Sequence, residues 1–171
     1  MEFNEFLKEM DDKSDLNFSS VFNILEESNI TIDNSVLNDG LGLATLYGLH
    51  IDVDKIRSKH LPHDLIFFII LHEIAHYKRM LKFGKERYIK LLSRSDFESF
   101  FDGLIDEEVF ADRWASLMFY KLNNKIYPRY KTQQLDKSEA QIQYRVHAYR
   151  LFGVVDNDEE NYKKLIKNTV K

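Results

Sequence analysis

Leu65-Ile66-Phe67-Phe68-Ile69-Ile70-Leu71-His72-Glu73-Ile74-Ala75-His76 is the stretch on which the fold turns. From Leu65 to Leu71 every position is apolar, so a helix built from it is apolar on all sides and runs through the interior. Pro62 stands where a first helical turn tolerates proline, and Gly84 stands where a helix ends. His72 to His76 then reads H-E-x-x-H. Residues four apart on a helix share a face one turn apart, so both imidazoles can reach one metal ion. Glu73 falls at the margin of that face, placed to take a proton from water beside the metal. Zinc lowers the pKa of such water to about 7, within reach of a carboxylate base at neutral pH. Two imidazoles and a carboxylate beside so apolar a helix carry a desolvation cost that a metal ion relieves. The chain has no cysteine. Any zinc is therefore held by histidine and carboxylate.

The second half of the pattern is Glu108-Val109-Phe110-Ala111-Asp112. Phe101, Ile105, Glu108, Asp112, Ala115 and Phe119 fall on one helical face, so two carboxylates interrupt an apolar stripe. Buried carboxylates need a cation or hydrogen-bond donors. Glu108 as third metal ligand, with Asp112 orienting a ligand histidine, satisfies both. The competing reading is a solvated acidic helix start, since Asp106 and Glu107 lie alongside. The flanking Phe, Ile and Ala weigh against it.

H-E-x-x-H followed by E-x-x-x-D on a later helix resembles the gluzincins, the thermolysin-like branch of zinc peptidases. Glu108-x-x-Ala111-x-x-Trp114-Ala115 resembles the E-x-x-A-x-x-F-A stretch of the small ImmA/IrrE-like peptidases. Ala111-Asp112 also resembles the E-x-x-A-D motif of the CAAX-processing membrane proteases. The resemblance covers about 41–120. It implies a minimal zincin-like domain of α+β class, mostly helical, with a small antiparallel sheet packed on an active-site helix and a glutamate helix. It implies Zn2+ held by His72, His76 and Glu108, with Glu73 catalytic. The implied substrate is a protein or peptide, and in the ImmA/IrrE-like family such substrates include repressors. The chain departs from the family after Ala115, where Ser116 to Lys121 continues without the usual proline.

Working outward, Phe3, Phe6, Leu7 and Met10 recur at helical spacing, as do Val21, Ile24 and Leu25, which predicts one or two N-terminal helices. Short segments rich in β-formers follow at Ile30 to Ile32, Leu41 to Tyr47 and Leu49 to Val53. In the last, Leu49, Ile51 and Val53 alternate with His50, Asp52 and Asp54, the period of a half-buried strand. Further helices are expected near Lys85 to Ser93 and from about Leu104 to Leu122. Pro128 marks a break, and helices are expected again over Ser138 to Phe152 and from Glu159 to about Lys167.

At 171 residues the chain has the length of one domain. That domain spans 1–171, with its motif core about 41–120 and a C-terminal helical part over 121–171. With 44% hydrophobic and 30% charged residues the balance is that of a globular protein. The longest apolar run is far short of the ~18 residues that span a membrane. The N-terminus is acidic where a signal peptide is basic, so a cytoplasmic protein is expected. A net charge of -4 offers no field for nucleic acid. Lys121 to Lys131, where Lys, Arg and Tyr interleave, reads as a solvated loop.

Among weaker candidates, an oxyanion donor is sought in His147, with Tyr144, Tyr149, Tyr127 and Tyr130 of suitable type. His60 and His63 read as surface residues. The rival to an enzyme is a non-catalytic, zinc-stabilised helical scaffold, which a fourth side-chain ligand would favour.

Overall fold

The structure is a computed structural model that describes residues 2–127 apart from 38–39, 46 and 93–96. The expected helices over 138–152 and 159–167, the break at Pro128 and His147 lie outside the described residues. Phe3, Phe6, Leu7 and Met10 form the buried face of α1 (Phe3–Lys13), as their spacing predicts. α2 (Ser19–Glu27) buries Val21 and Leu25. Its entry is fixed by Phe18, whose fully buried ring meets Phe67 edge-on at 4.8 Å between centroids.

Three short strands follow: β1 (Ile32–Asn34), β2 (Gly42–Ala44) and β3 (Leu49–Ile51). Their spatial order is β1-β3-β2. β2 and β3 pair antiparallel, as expected of the sheet, with Leu43 opposite His50. β1 pairs with β3 in parallel, with Asp33 opposite His50. The sheet is therefore mixed, which corrects the expected antiparallel one. Period-2 alternation reports which face a residue takes but not which strand becomes its neighbour. Here the chain reverses after β1, crosses to the far edge as β2, and places β3 between them.

The strand expected over Leu49 to Val53 stops at Ile51. Asp52 turns the chain, accepting hydrogen bonds from the Leu37 N–H and the Lys55 N–H, both at 2.9 Å. The second bond caps a short helix, α3 (Val53–Ser58), that the strand reading missed. Two backbone bonds, that from Leu37 foremost, hold the Asp52 carboxyl below the usual carboxylate range against the opposing effect of burial.

α4 (His63–Phe83) begins after Pro62 and ends at Gly84, whose φ of +86° suits glycine. It buries residues on every side, among them Phe67, Phe68, Ile70, Leu71, Ile74 and Ala75. β2 and β3 pack on one flank and α6 on another. α5 (Lys85–Leu92) follows directly. α6 (Phe97–Asn123) starts about two turns earlier than expected, running through Gly103 because Phe100 and Phe101 anchor its first turns in the core. Its far end joins α4 through aromatic contacts. Phe67 meets Phe119 edge-on at 5.5 Å, and Phe68 stacks on Tyr127 at 4.1 Å. Burying such rings contributes roughly 1.5–3 kcal/mol each. These contacts hold the end of α6 and the segment after it against α4. No helix among the described residues is long and apolar enough to cross a membrane.

Candidate metal centre

His72 and His76 emerge from the same face of α4, and Glu108 reaches them from α6. The two Nε2 atoms lie 3.0 Å apart. Glu108 Oε2 is 3.2 Å from His72 Nε2, and Glu108 Oε1 is 3.5 Å from His76 Nε2. All three side chains are mostly enclosed, with 10–16% of each exposed. A tetrahedral ion with bonds of ~2.0–2.1 Å sets its ligand atoms ~3.3 Å apart. The observed spacings bracket that value, so the trio could hold a metal ion. Among the described residues the group has three members, and no other His, Asp or Glu joins it.

Asp112 stands one turn after Glu108 on α6. Its Oδ1 accepts a hydrogen bond from His72 Nδ1 at 2.9 Å, which leaves Nε2 turned toward the trio. Burial alone would push the His72 pKa down. The hydrogen bonds to Asp112 and Glu108 outweigh it, and the pKa is raised to about 10. For Glu108 burial acts upward, but hydrogen bonds from His72 and His76 win and hold it far below the usual carboxylate range. Without metal, this is a histidinium-carboxylate cluster. With metal, the ion takes the place of the proton.

Glu73 does not join the trio. Its carboxyl is enclosed between α4 and β2, and burial pushes its pKa up against the nearby histidines and a hydrogen bond from the Ala44 backbone amide. β2 comes so close that a Cβ on Gly42 would lie 2.6 Å from Glu73 Cγ. The pairing explains why this strand presents an amide to the site. Asp52 N–H bonds Leu41 O and Thr45 N–H bonds Gly48 O. The alternate residues Gly42 and Ala44 therefore point their main-chain groups away from β3. Among the described residues no strand pairs with that outer edge.

The site thus brings together five residues singled out in the sequence: His72, His76 and Glu108 in the trio, Asp112 behind His72 and Glu73 beside it. His60 is exposed and His63 is half-buried at the start of α4. Tyr127 is buried on Phe68, one helical turn before His72. Three contributors escaped the sequence reading: Gly42, Ala44 and Arg79. Gly42 and Ala44 matter through their backbone, which no side-chain pattern reveals. Asp106 and Glu107, on which the competing solvated reading rested, differ: Asp106 is exposed and Glu107 is buried, and both carboxylates meet Arg79 of α4, at 2.5 and 3.2 Å. A cavity of about 450 Å³ lies elsewhere, between the end of α1 and the start of α4, with Lys13, His63, Phe119 and Lys125 in its wall. None of the five site residues lines it. Comparison with protein-family models, curated proteins and solved structures finds no match.

Proposed function

We propose that the chain is a zinc-dependent metallopeptidase of gluzincin type with zincin-like packing. The observation that carries this reading is the convergence of His72, His76 and Glu108 to ligand spacing, with Glu73 held outside the trio beside a strand edge that no described strand pairs with. A zinc ion in that trio would polarise a scissile carbonyl and acidify an adjacent water. The chain's own residues supply the rest. Glu73, with its basicity raised by burial, takes the proton of the attacking water and later delivers it to the leaving amine. Asp112 holds the His72 imidazole in the tautomer that offers Nε2. The part of the outer edge of β2 not taken by the bond from the Ala44 amide to Glu73 accepts an extended peptide by strand addition, which favours peptide over small-ester substrates.

Three candidate ligands among the described residues support an enzyme over a scaffold, because structural zinc sites normally close with four. On the resemblance to the ImmA/IrrE-like peptidases, the substrate is a protein met in the cytoplasm, with repressors as the first candidates. The deciding experiment is zinc analysis of the purified chain together with cleavage of a repressor substrate, for the parent and for Glu73→Gln. Zinc near one per chain in both, with cleavage only by the parent, supports the proposal. A chain without zinc, or full cleavage by Glu73→Gln, refutes it.

A further inference from the structure

We infer that Arg79 is a positioning residue for the metal centre, gripping the turn of α6 that carries Glu108 and so setting that carboxylate against the two histidines. The inference rests on the metal reading above and extends it to a residue outside the H-E-x-x-H and E-x-x-x-D patterns.

Arg79 follows His76 by three residues, so it occupies the next turn on the same side of α4. Its side chain is only 10% exposed. Nη2 lies 2.5 Å from Asp106 Oδ2 and Nη1 donates to the Asp106 carbonyl oxygen at 3.4 Å, while Nε lies 3.2 Å from Glu107 Oε2 as an ion pair without hydrogen-bond alignment. The guanidinium also covers the Phe110 ring, 4.5 Å from its centroid. Residues 106, 107 and 110 bracket Glu108 on α6. One guanidinium thus holds both sides of the turn from which the third ligand projects. Arg87 of α5 reaches the same two carboxylates from outside, at 3.4 and 3.3 Å, but is 45% exposed.

Such a clamp is needed here for a geometric reason. Sliding α6 by one residue would move Glu108 by ~1.5 Å along the axis and turn it by ~100°. The ligand spacings of 3.0–3.5 Å leave no room for that. Apolar contacts between α4 and α6 are non-directional and specify register weakly. A planar guanidinium fork is directional, and lysine does not reproduce it. Asp106 is 62% exposed, and exposed pairs, like buried ion clusters, add little net stability, so stability alone does not account for this cluster. Register does.

The test uses the full chain stripped of metal, titrated with Zn2+ against a chromophoric chelator and with Co2+ read by visible absorption. Arg79→Met keeps the volume and removes the charge. It should stay helical by circular dichroism, bind Zn2+ about tenfold or more weakly, and show a changed Co2+ band. Arg79→Lys should fall between Arg79→Met and the parent, and it carries the test if Arg79→Met does not fold. Phe6→Leu in the distant α1 core controls for lost stability: it should lower the melting midpoint with zinc affinity within about twofold of the parent. Parental zinc affinity in a folded Arg79→Met, or in Arg79→Lys where Arg79→Met does not fold, overturns the inference. So does an affinity loss that tracks melting midpoint equally in Phe6→Leu and the Arg79 variants. A parent that takes up neither ion overturns the metal reading, and this inference with it.

Discussion

Gly42 on β2 presses against Glu73 on α4 so closely that no larger residue fits between them. A Cβ at position 42 would lie 2.6 Å from Glu73 Cγ, 3.1 Å from its Cδ and 3.0 Å from Ile51 Cδ1. Contact, not backbone conformation, demands glycine there. Two residues on, the Ala44 amide bonds to the same carboxyl. The edge of this strand turned away from β3 thus holds the proposed general base through the Ala44 amide, and no other strand pairs with that edge among the described residues.

Gly42→Ala should therefore act through Glu73. Overpacking of this kind costs about 1–3 kcal/mol, and the displaced carboxylate should cost turnover as well while zinc stays bound. In a Glu73→Ala background the added methyl has space, so most of the stability cost should vanish. Denaturant melts of the four proteins in this double-mutant cycle measure the coupling. An equal cost in both backgrounds would assign the clash to Ile51 instead.

Asp112→Ala removes the acceptor of the His72 Nδ1 hydrogen bond without touching a ligand. Zinc affinity should fall roughly 10–100-fold with the fold retained, as losses of groups behind a ligand typically do. Chelator competition measures it. Parental affinity would mean that His72 is held by its packing alone.

The raised pKa of His72 predicts how metal uptake and metal-free stability respond to pH. Its folded value, about 10, lies above the ~6.5 of an unfolded histidine. In the metal-free protein the stabilisation is complete below ~6.5 and is lost as pH rises through about 10. Metal binding must expel this proton, so affinity should climb about tenfold per pH unit across the same window. Calorimetric titration in buffers of different ionisation enthalpy should show about one proton released per ion. Affinity that is flat from pH 6.5 to 9 would show that His72 is already neutral.

How far the sequence exposes this arrangement depends on the range of the forces involved. The five site residues are legible because helical spacing assigns faces locally, and because carboxylates in an apolar stripe demand a partner. The bounds of α4 are legible from Pro62 and Gly84 for the same local reason. The parallel pairing of β1 with β3 is not, since Asp33 and His50 carry the same alternation whichever way the strands run. α3 hid behind a strand-like alternation because Asp52 takes its role partly from Leu37, fifteen positions away. The early start of α6 hid behind Gly103, whose helix penalty of ~1 kcal/mol is outweighed by burying Phe100 and Phe101. The burial of Glu107 beside the exposed Asp106 is not legible either, because Arg79, which meets both, lies 27 residues from Asp106 in the chain.

The last prediction separates ligand from base within the site. Glu73 sits outside the trio and Glu108 within it, so removing each carboxylate should fail in a different way. Glu73→Gln keeps the shape that fits against Gly42, so zinc should remain near one per chain. The amide cannot accept a proton from water, so turnover should fall by about 10²–10⁴, the usual worth of general base catalysis. Glu108→Ala deletes a proposed ligand and leaves His72 and His76 without their bridging carboxylate. Zinc should then be lost or held weakly, and activity with it. The measurements are zinc content and substrate cleavage for both variants against the parent. A Glu73→Gln protein that loses its zinc would mean that base and ligand have been exchanged. Zinc held at parental affinity by Glu108→Ala would transfer the third position to another carboxylate, and Glu107, already engaged by Arg79, would have to leave that ion pair to fill it.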